Sequence, residues 1–338
     1  MPARRIMTML ASTSLAVTAL LGSSPSAQAD NPVFCGIPVG GAILAKYKDY
    51  NYDRGFLGCP KTTELVNPDG VGRRQEFTGG TVYWKPATGA HPVGGAIGAK
   101  WADKNWESGP LGYPTSDELA NPDGFGRRQE FEGGSVYWAS AYGAHPVWGK
   151  IGKLWGDYGW EGGSFGYPTS DEKTDTATNQ TYQNFSNRQS TLFWSSGHRE
   201  EGCSGECTGY LSEAATDWFK QVRVEIPAAF PNEVVIRAYP TDAGFRNAVG
   251  DLGGAWDQLW TMAPPPQQLS VQSKYNSEYE QFICHAKFVF PDPLNSSGWS
   301  TGDSWDVESW RADVGTSNAL SPVFFALHQC NWDPQNPS

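Results

Sequence analysis

Apolar residues four apart recur three times in the first half of the chain. Ile43 and Tyr47, Ile97 and Trp101, and Ile151 and Trp155 have the spacing that puts two side chains on one helical face, which predicts a short inward-packing helix at each place. Each is followed by an aromatic residue (Tyr52, Trp106, Trp160) and then by a Leu-Gly or Phe-Gly turn ahead of Pro60, Pro114 and Pro168. Asn67-Pro68-Asp69-Gly70 and Asn121-Pro122-Asp123-Gly124 have the chemistry of a type I turn. Alternating runs follow, Arg74 to Phe77 and Gly79 to Trp84 in one case and Arg128 to Trp138 in the next, and read as two short strands broken by paired glycines. Gly58, Gly112 and Gly166 are 54 residues apart, so the pattern is a repeat of a short helix plus a hairpin. The third copy keeps Phe185, Phe193 and Trp194 but loses the Asn-Pro-Asp-Gly corner, the arginine pair and the glycine pair, as terminal copies that cap an array often do.

After about Gly202 the period stops. Leu211 to Val222 carries Leu211, Ala215, Trp218, Phe219 and Val222 at helical spacing and predicts a helix, with strands over 223–226 and 233–239. Ala255 to Trp260 predicts another short helix ending before Pro264, and 282–290, 305–314 and 322–330 predict later strands. The fold class expected is α+β in two domains, a β-rich repeat domain over 30–201 and a smaller α+β domain with an antiparallel sheet over 202–338.

Arg4 and Arg5, an apolar run to about Leu21 and Ser26-Ala27-Gln28-Ala29 predict a secretory signal over 1–29, hence a secreted protein. No later stretch reaches the ~20 apolar residues of a membrane span. Removing the signal takes two arginines and no acid from 25 basic and 36 acidic residues, moving the formal charge from −11 to −13. With no basic cluster longer than Arg73-Arg74 or Arg127-Arg128, nucleic acid is not an expected partner. The 15 tryptophans and 14 tyrosines suit sugar binding, since a flat ring covers a pyranose or furanose while polar neighbours hold its hydroxyls.

Six cysteines in an exported chain predict disulfides, and six allow 15 pairings. Proximity along the chain favours Cys35 to Cys59, Cys203 to Cys207 and Cys284 to Cys330. The short middle loop makes that pair the least secure.

Leu57-Gly58-Cys59-Pro60, Leu111-Gly112-Tyr113-Pro114 and Phe165-Gly166-Tyr167-Pro168, with Pro-Asp-Gly, Gly-Gly-x-Val-Tyr-Trp and Gly-Ala-His-Pro-Val at matching offsets, resemble LGFP repeats over about 36 to 199. Cys59, Tyr113 and Tyr167 stand where that family has phenylalanine. The resemblance implies a secreted actinobacterial protein, a pseudo-symmetric β-rich array and attachment to the cell envelope through wall polysaccharide, with arabinogalactan as the polymer. The C-terminal half resembles an actinobacterial secreted domain family of unknown function, on Tyr239-Pro240-Thr241-Asp242-Ala243-Gly244, Cys284-His285-Ala286, Trp305-Asp306-Val307-Glu308-Ser309-Trp310-Arg311 and Cys330-Asn331. It departs from that family at Ser309 and Ala312, where prolines are usual.

Alternation along the strands puts the two rings of Tyr83-Trp84, Tyr137-Trp138 and Phe193-Trp194 on opposite faces. Val82 and Val136 share a face with the tryptophans, so the tryptophans are expected inside and Tyr83, Tyr137 and Phe193 on an accessible face, as glycan contacts or as packing between units. Arg74, Arg128, His91 and His145 recur with the repeat and are candidate glycan contacts that more readily serve as turn supports. Cys284, His285, His328 and Cys330 are metal-capable, but neighbours on a strand diverge and export favours the disulfide, so no metal and no cofactor are expected. Asp306 and Glu308, with His285, are the candidates for acid-base chemistry if the C-terminal part is a wall-modifying hydrolase. No Gly-x-Ser-x-Gly elbow, His-Glu-x-x-His or phosphate loop is present, and the reading leans to a non-catalytic binding protein with an unknown protein partner.

Overall fold

The structure is a computed structural model that describes residues 31–177, 179–187, 190–195, 207–213, 215–229, 233–247, 250–263, 272–289, 291, 293, 299–301, 304–309, 316–322 and 330. The expected signal segment, Cys203 and His328 lie outside the described residues. A hairpin of β1 (Val33–Phe34) and β2 (Ile37–Pro38) opens the described chain. Unit one then has α1 (Gly41–Asp49) and an antiparallel sheet of β3 (Leu65–Val66), β4 (Arg73–Glu76), β5 (Thr81–Lys85) and β6 (Gly89–Val93). Unit two repeats this with α2 (Gly95–Asp103), β7 (Leu119–Ala120), β8 (Arg127–Phe131), β9 (Gly134–Ala139) and β10 (Gly143–Trp148). Unit three has α3 (Gly149–Asp157), β11 (Lys173–Asp175), β12 (Gln180–Asn184) and β13 (Ser190–Ser195).

Each unit is held together the same way. The helix buries its i and i+4 pair, Ile43 with Tyr47, Ile97 with Trp101 and Ile151 with Trp155. Tyr47 Oη, Trp101 Nε1 and Trp155 Nε1 donate to the carbonyls of Gly58, Gly112 and Gly166 at 2.7, 3.1 and 3.1 Å, which fastens helix to turn. Those three glycines have φ of +64°, +66° and +69°, the left-handed region that L side chains avoid. A buried glutamine, Gln75, Gln129 or Gln183, donates from Nε2 to one main-chain carbonyl of its own unit (Thr62, Ser116 or Ser170) and to one on the strand just before that unit's helix (Pro38, Pro92 or Pro146), at 2.8 to 3.0 Å. It is a polar pin in an aromatic core, and its main-chain acceptors are satisfied by it.

The third sheet does not stop with its unit. β13 pairs residue for residue with β14 (Cys207–Ser212), and the sheet runs on through β15 (Phe219–Pro227), β16 (Val235–Pro240) and, after the helices, β17 (Trp305–Glu308), giving seven antiparallel strands in chain order. α3 packs on β13 and β14, α5 (Leu252–Met262) on β15, and α6 (Gln272–Phe288) on β17. α4 (Asp242–Asn247) sits on β16, and α7 (Thr316–Ala319) against α6. One apolar core extends from Trp155 and Phe165 through Tyr210 and Phe219 to Trp256, Phe282 and Trp305.

The α+β architecture agrees with expectation, two elements differ, and the strand expected over 322–330 and the second part of that expected over 305–314 fall almost wholly outside the described residues. The segment expected as a helix over 211–222 is the end of β14, a turn and the start of β15. Thr216 Oγ1 accepts from the amides of Trp218 and Phe219 at 3.3 and 3.0 Å and closes the turn. Its apolar residues serve two strands, and their helical spacing is a coincidence of a short link. The strand expected over 282–290 is the last part of the 17-residue α6. Tyr279, Phe282, Ile283 and Ala286 form an i, i+3, i+4, i+7 stripe against the sheet, a period that the shorter window hid.

Disulfides join Cys35 to Cys59 and Cys284 to Cys330 as expected, while Cys203 keeps the third pair outside the described residues. No helix among the described residues is long and apolar enough to cross a membrane.

Candidate functional site

The junctions between units bring together most of the residues singled out from the sequence. Tyr83 lies on the face of β5 away from its own helix and meets Trp101 of α2 edge to face at 4.6 Å; Tyr137 meets Trp155 of α3 likewise at 4.7 Å. Tyr83, Tyr137 and Phe193 are therefore buried, at 8, 6 and 2 % exposure, and the expectation of an accessible face for them is corrected. Each sheet is covered on both sides, by its own unit's core and by the next unit's helix or, for Phe193, by a small cluster with Tyr182 and Cys207 and the Arg223 guanidinium 4.2 Å above its ring. Rings closed in this way have no open face for a sugar. On the first described unit Phe34 supplies the ring and meets Tyr47 at 5.1 Å.

Each junction also has an ion cage. Asp117 of unit two accepts from Lys46 Nζ (2.9 Å) on α1 and from Tyr50 Oη (2.8 Å) just past its end, and pairs with His91 Nδ1 (2.6 Å) on β6. Asp171 of unit three is placed identically, with Lys100 (3.1 Å), Lys104 (2.7 Å) and His145 Nδ1 (2.7 Å). Burial alone would raise the Asp117 pKa, but the bonds from His91, Lys46 and Tyr50 outweigh it and hold the group at about 2, and the Asp171 carboxyl is also pushed well below its ordinary range. His91 Nε2 and His145 Nε2 face the carbonyls of Thr88 and Tyr142 at 2.9 and 3.0 Å, so both ring nitrogens meet oxygen acceptors. Only the protonated ring makes both bonds at once.

The tyrosines at the phenylalanine positions complete the junction. Tyr113 Oη donates to Asp69 (2.7 Å) and accepts from Asn67 Nδ2 (3.0 Å), and Tyr167 repeats this with Asp123 and Asn121. Arg74 and Arg128 donate to Asn67 Oδ1 and Asn121 Oδ1 at 2.9 and 3.1 Å, so these arginines support the turns that the tyrosines grip. Cys59 has no preceding turn to reach and bonds Cys35 instead. The third unit lacks the Asn-Pro-Asp-Gly turn.

The accessible rings are others. Trp106 and Trp160 are each 48 % exposed and have φ of +47° and +57°, values that are uncommon for any side chain but glycine. Phe56, Phe125 and Tyr142 are exposed as well. Sequence reasoning placed Trp106 and Trp160 in the repeat but gave them no role; their recurrence beside a turn was the available signal.

Between units one and two lies a cleft of about 290 Å³ lined by Tyr50, Phe56, Gly79, Pro92, Gly94, Gly95 and Glu118. Tyr50 and Phe56 meet edge to face at 4.8 Å, and Glu118 is loosely paired with Arg127 at 3.8 Å.

Residues 57–109 and 111–163 match the LGFP repeat family. The chain carries LGFP repeats. The matched segments cover less than half of its length, and no curated protein matches it. Each LGFP match runs from the turn through one sheet to the next unit's helix, which is the grouping that buries Tyr83 on Trp101 and Tyr137 on Trp155.

The C-terminal candidates are not brought together. His285, on α6, is 4 % exposed and its Nε2 donates to the main-chain carbonyl of Asp306 at 3.2 Å. Burial lowers its pKa. Trp305, Val307 and Ser309 face this side, whereas the Asp306 carboxylate is on the other, paired with Arg237 and accepting from Ser304 Oγ at 2.8 Å. The main chain of Glu308 is held by Gln281, which accepts from its amide and donates to its carbonyl at 2.9 Å each. Cys284 and Cys330 are consumed by their disulfide, and no metal-binding group occurs among the described residues.

Proposed function

We propose that this LGFP-repeat protein is a secreted, non-catalytic envelope protein whose repeats attach it to wall polysaccharide, with arabinogalactan as the polymer, and present the C-terminal α+β part. The observation that carries this reading is the division of labour among the aromatics. Buried rings join the units, and a second set, led by Trp106 and Trp160 at equivalent positions, is left outward along an array with a fixed step. A repeating array with rings outward fits a polymer whose sugars also repeat, since several weak ring contacts on one chain add through effective concentration. The acidic surface fits a neutral polymer better than an anionic one.

The test is co-sedimentation of residues 30–338 with purified insoluble cell wall, before and after the arabinogalactan is stripped. The whole mature chain is needed because the third sheet and core continue past residue 200. Retention that falls after stripping supports the reading, and so does a further loss in a Trp106→Ala, Trp160→Ala double variant. Sedimentation no better than that of an unrelated acidic protein would exclude attachment.

A further inference from the structure

The two inter-unit junctions differ at one place. Gly94, before α2, corresponds at the 54-residue step to Trp148, before α3, and Glu118 corresponds to Glu172. In the second junction the Trp148 indole packs against the core of unit two and donates from Nε1 to Glu172 at 2.6 Å. In the first, glycine leaves that space open, and it is the cleft described above. The place before α1 is also filled, because a Cβ at Gly40 would meet the Asn31 side chain.

The walls change with the plug. The open cleft has Tyr50 and Phe56, whereas the filled junction has Lys104 and Pro110 at the corresponding positions. Aromatic walls thus occur where none of the described side chains occupies the space. The Phe56 ring is 53 % exposed, so its burial is left to something else. Trp148 shows what this shape accepts: a flat ring that carries a hydrogen-bond donor to a carboxylate.

We propose that the cleft lined by Tyr50, Phe56, Gly94 and Glu118 binds one ring of a neutral carbohydrate, with the apolar sugar face on Phe56 and a hydroxyl donating to Glu118. The ligand class rests on the attachment reading above. A sugar is favoured over a tryptophan of a partner protein because Glu118, unlike the plugged Glu172, keeps access to solvent and can accept from more than one hydroxyl. Glu118 repels uronates and phosphosugars.

Gly94→Trp transplants the plug. Gly94 has φ −162° and ψ −171°, and Trp148 has φ −150° and ψ −176°, so the backbone is already that of the tryptophan. A Cβ there would lie 3.1 Å from the Gly79 carbonyl oxygen, a small accommodation. Residues 30–338 are titrated calorimetrically with neutral pentose and hexose oligosaccharides, a uronic-acid oligosaccharide and a tryptophan-containing tripeptide. The proposal expects a neutral saccharide to bind the parent, with affinity at least tenfold lower for Gly94→Trp and severalfold lower for Phe56→Ala, a surface change that leaves the fold intact. It is overturned if the parent binds no neutral saccharide, if Phe56→Ala and Gly94→Trp bind like the parent, or if the peptide or the uronate is preferred. Wall retention that persists in any of these cases keeps the attachment reading and removes only this site.

Discussion

The junctions within the array and the junction between the third unit and the C-terminal sheet solve one problem with different chemistry. Between units, α1 and α2 present Lys46 and Lys100 to a carboxylate on the following unit. At the corresponding place α3 has Leu154, which is 4 % exposed in the core shared with the C-terminal part, and is followed by Tyr158, whose ring meets Tyr210 of β14 at 5.6 Å. A polar junction can be repeated and ended, because its faces stay tolerable in water. An apolar one joins permanently, because separating it would expose the core. The third unit is therefore as much the first layer of the C-terminal fold as the last of the array.

This contrast breaks most severely if the lysine is restored at the third helix. Leu154→Lys would put an ammonium into the continuous apolar core, and is expected to cost on the order of 3 kcal/mol or more, or to prevent folding. Thermal and denaturant unfolding would measure it; a variant as stable as the parent would show that the two parts are not one core. A smaller effect is expected from Tyr113→Phe and Tyr167→Phe, which restore the family's residue and remove one junction hydroxyl. Each should lower stability by about 1 to 2 kcal/mol, because a hydrogen bond to a carboxylate is lost and a buried asparagine amide loses its acceptor. Similar losses at both sites would confirm equivalent junctions, and unequal ones would separate them.

The smallest effect concerns acid. Asp117 and Asp171 are more acidic in the folded chain than in the unfolded one, so the unfolded chain takes up protons first as pH falls. The cages' contribution is complete above about pH 4, the ordinary aspartate value, and is lost as pH drops towards about 2. The melting temperature should fall through that window, with a shallower fall in Asp117→Asn, Asp171→Asn. An unchanged slope in the double variant would remove the cages from the acid response.

The repeat, its helices and two disulfides were legible in the sequence because each rests on local spacing or proximity. The facing of Tyr83 and Tyr137 was not, since alternation tells that two rings diverge but not that a second layer covers the other side. That 211–222 joins two strands by a turn and that 282–288 is helical were hidden by short apolar runs that fit either period, and only the pairing of β14 with β13 and β15 and the full length of α6 decide them. The cleft was legible in principle, as a glycine aligned with a tryptophan, but its meaning required Glu172 to be seen accepting from that indole.

The central claim is that exported repeats attach this chain to wall glycan through ring contacts at their surface, and its most direct measurement is side-by-side retention of the parent and Gly94→Trp, Trp106→Ala, Trp160→Ala on purified wall. The account predicts that the parent pellets with the wall and that the triple variant, with an unchanged melting profile, stays in solution. Equal pelleting of the two, or pelleting of neither, would contradict it.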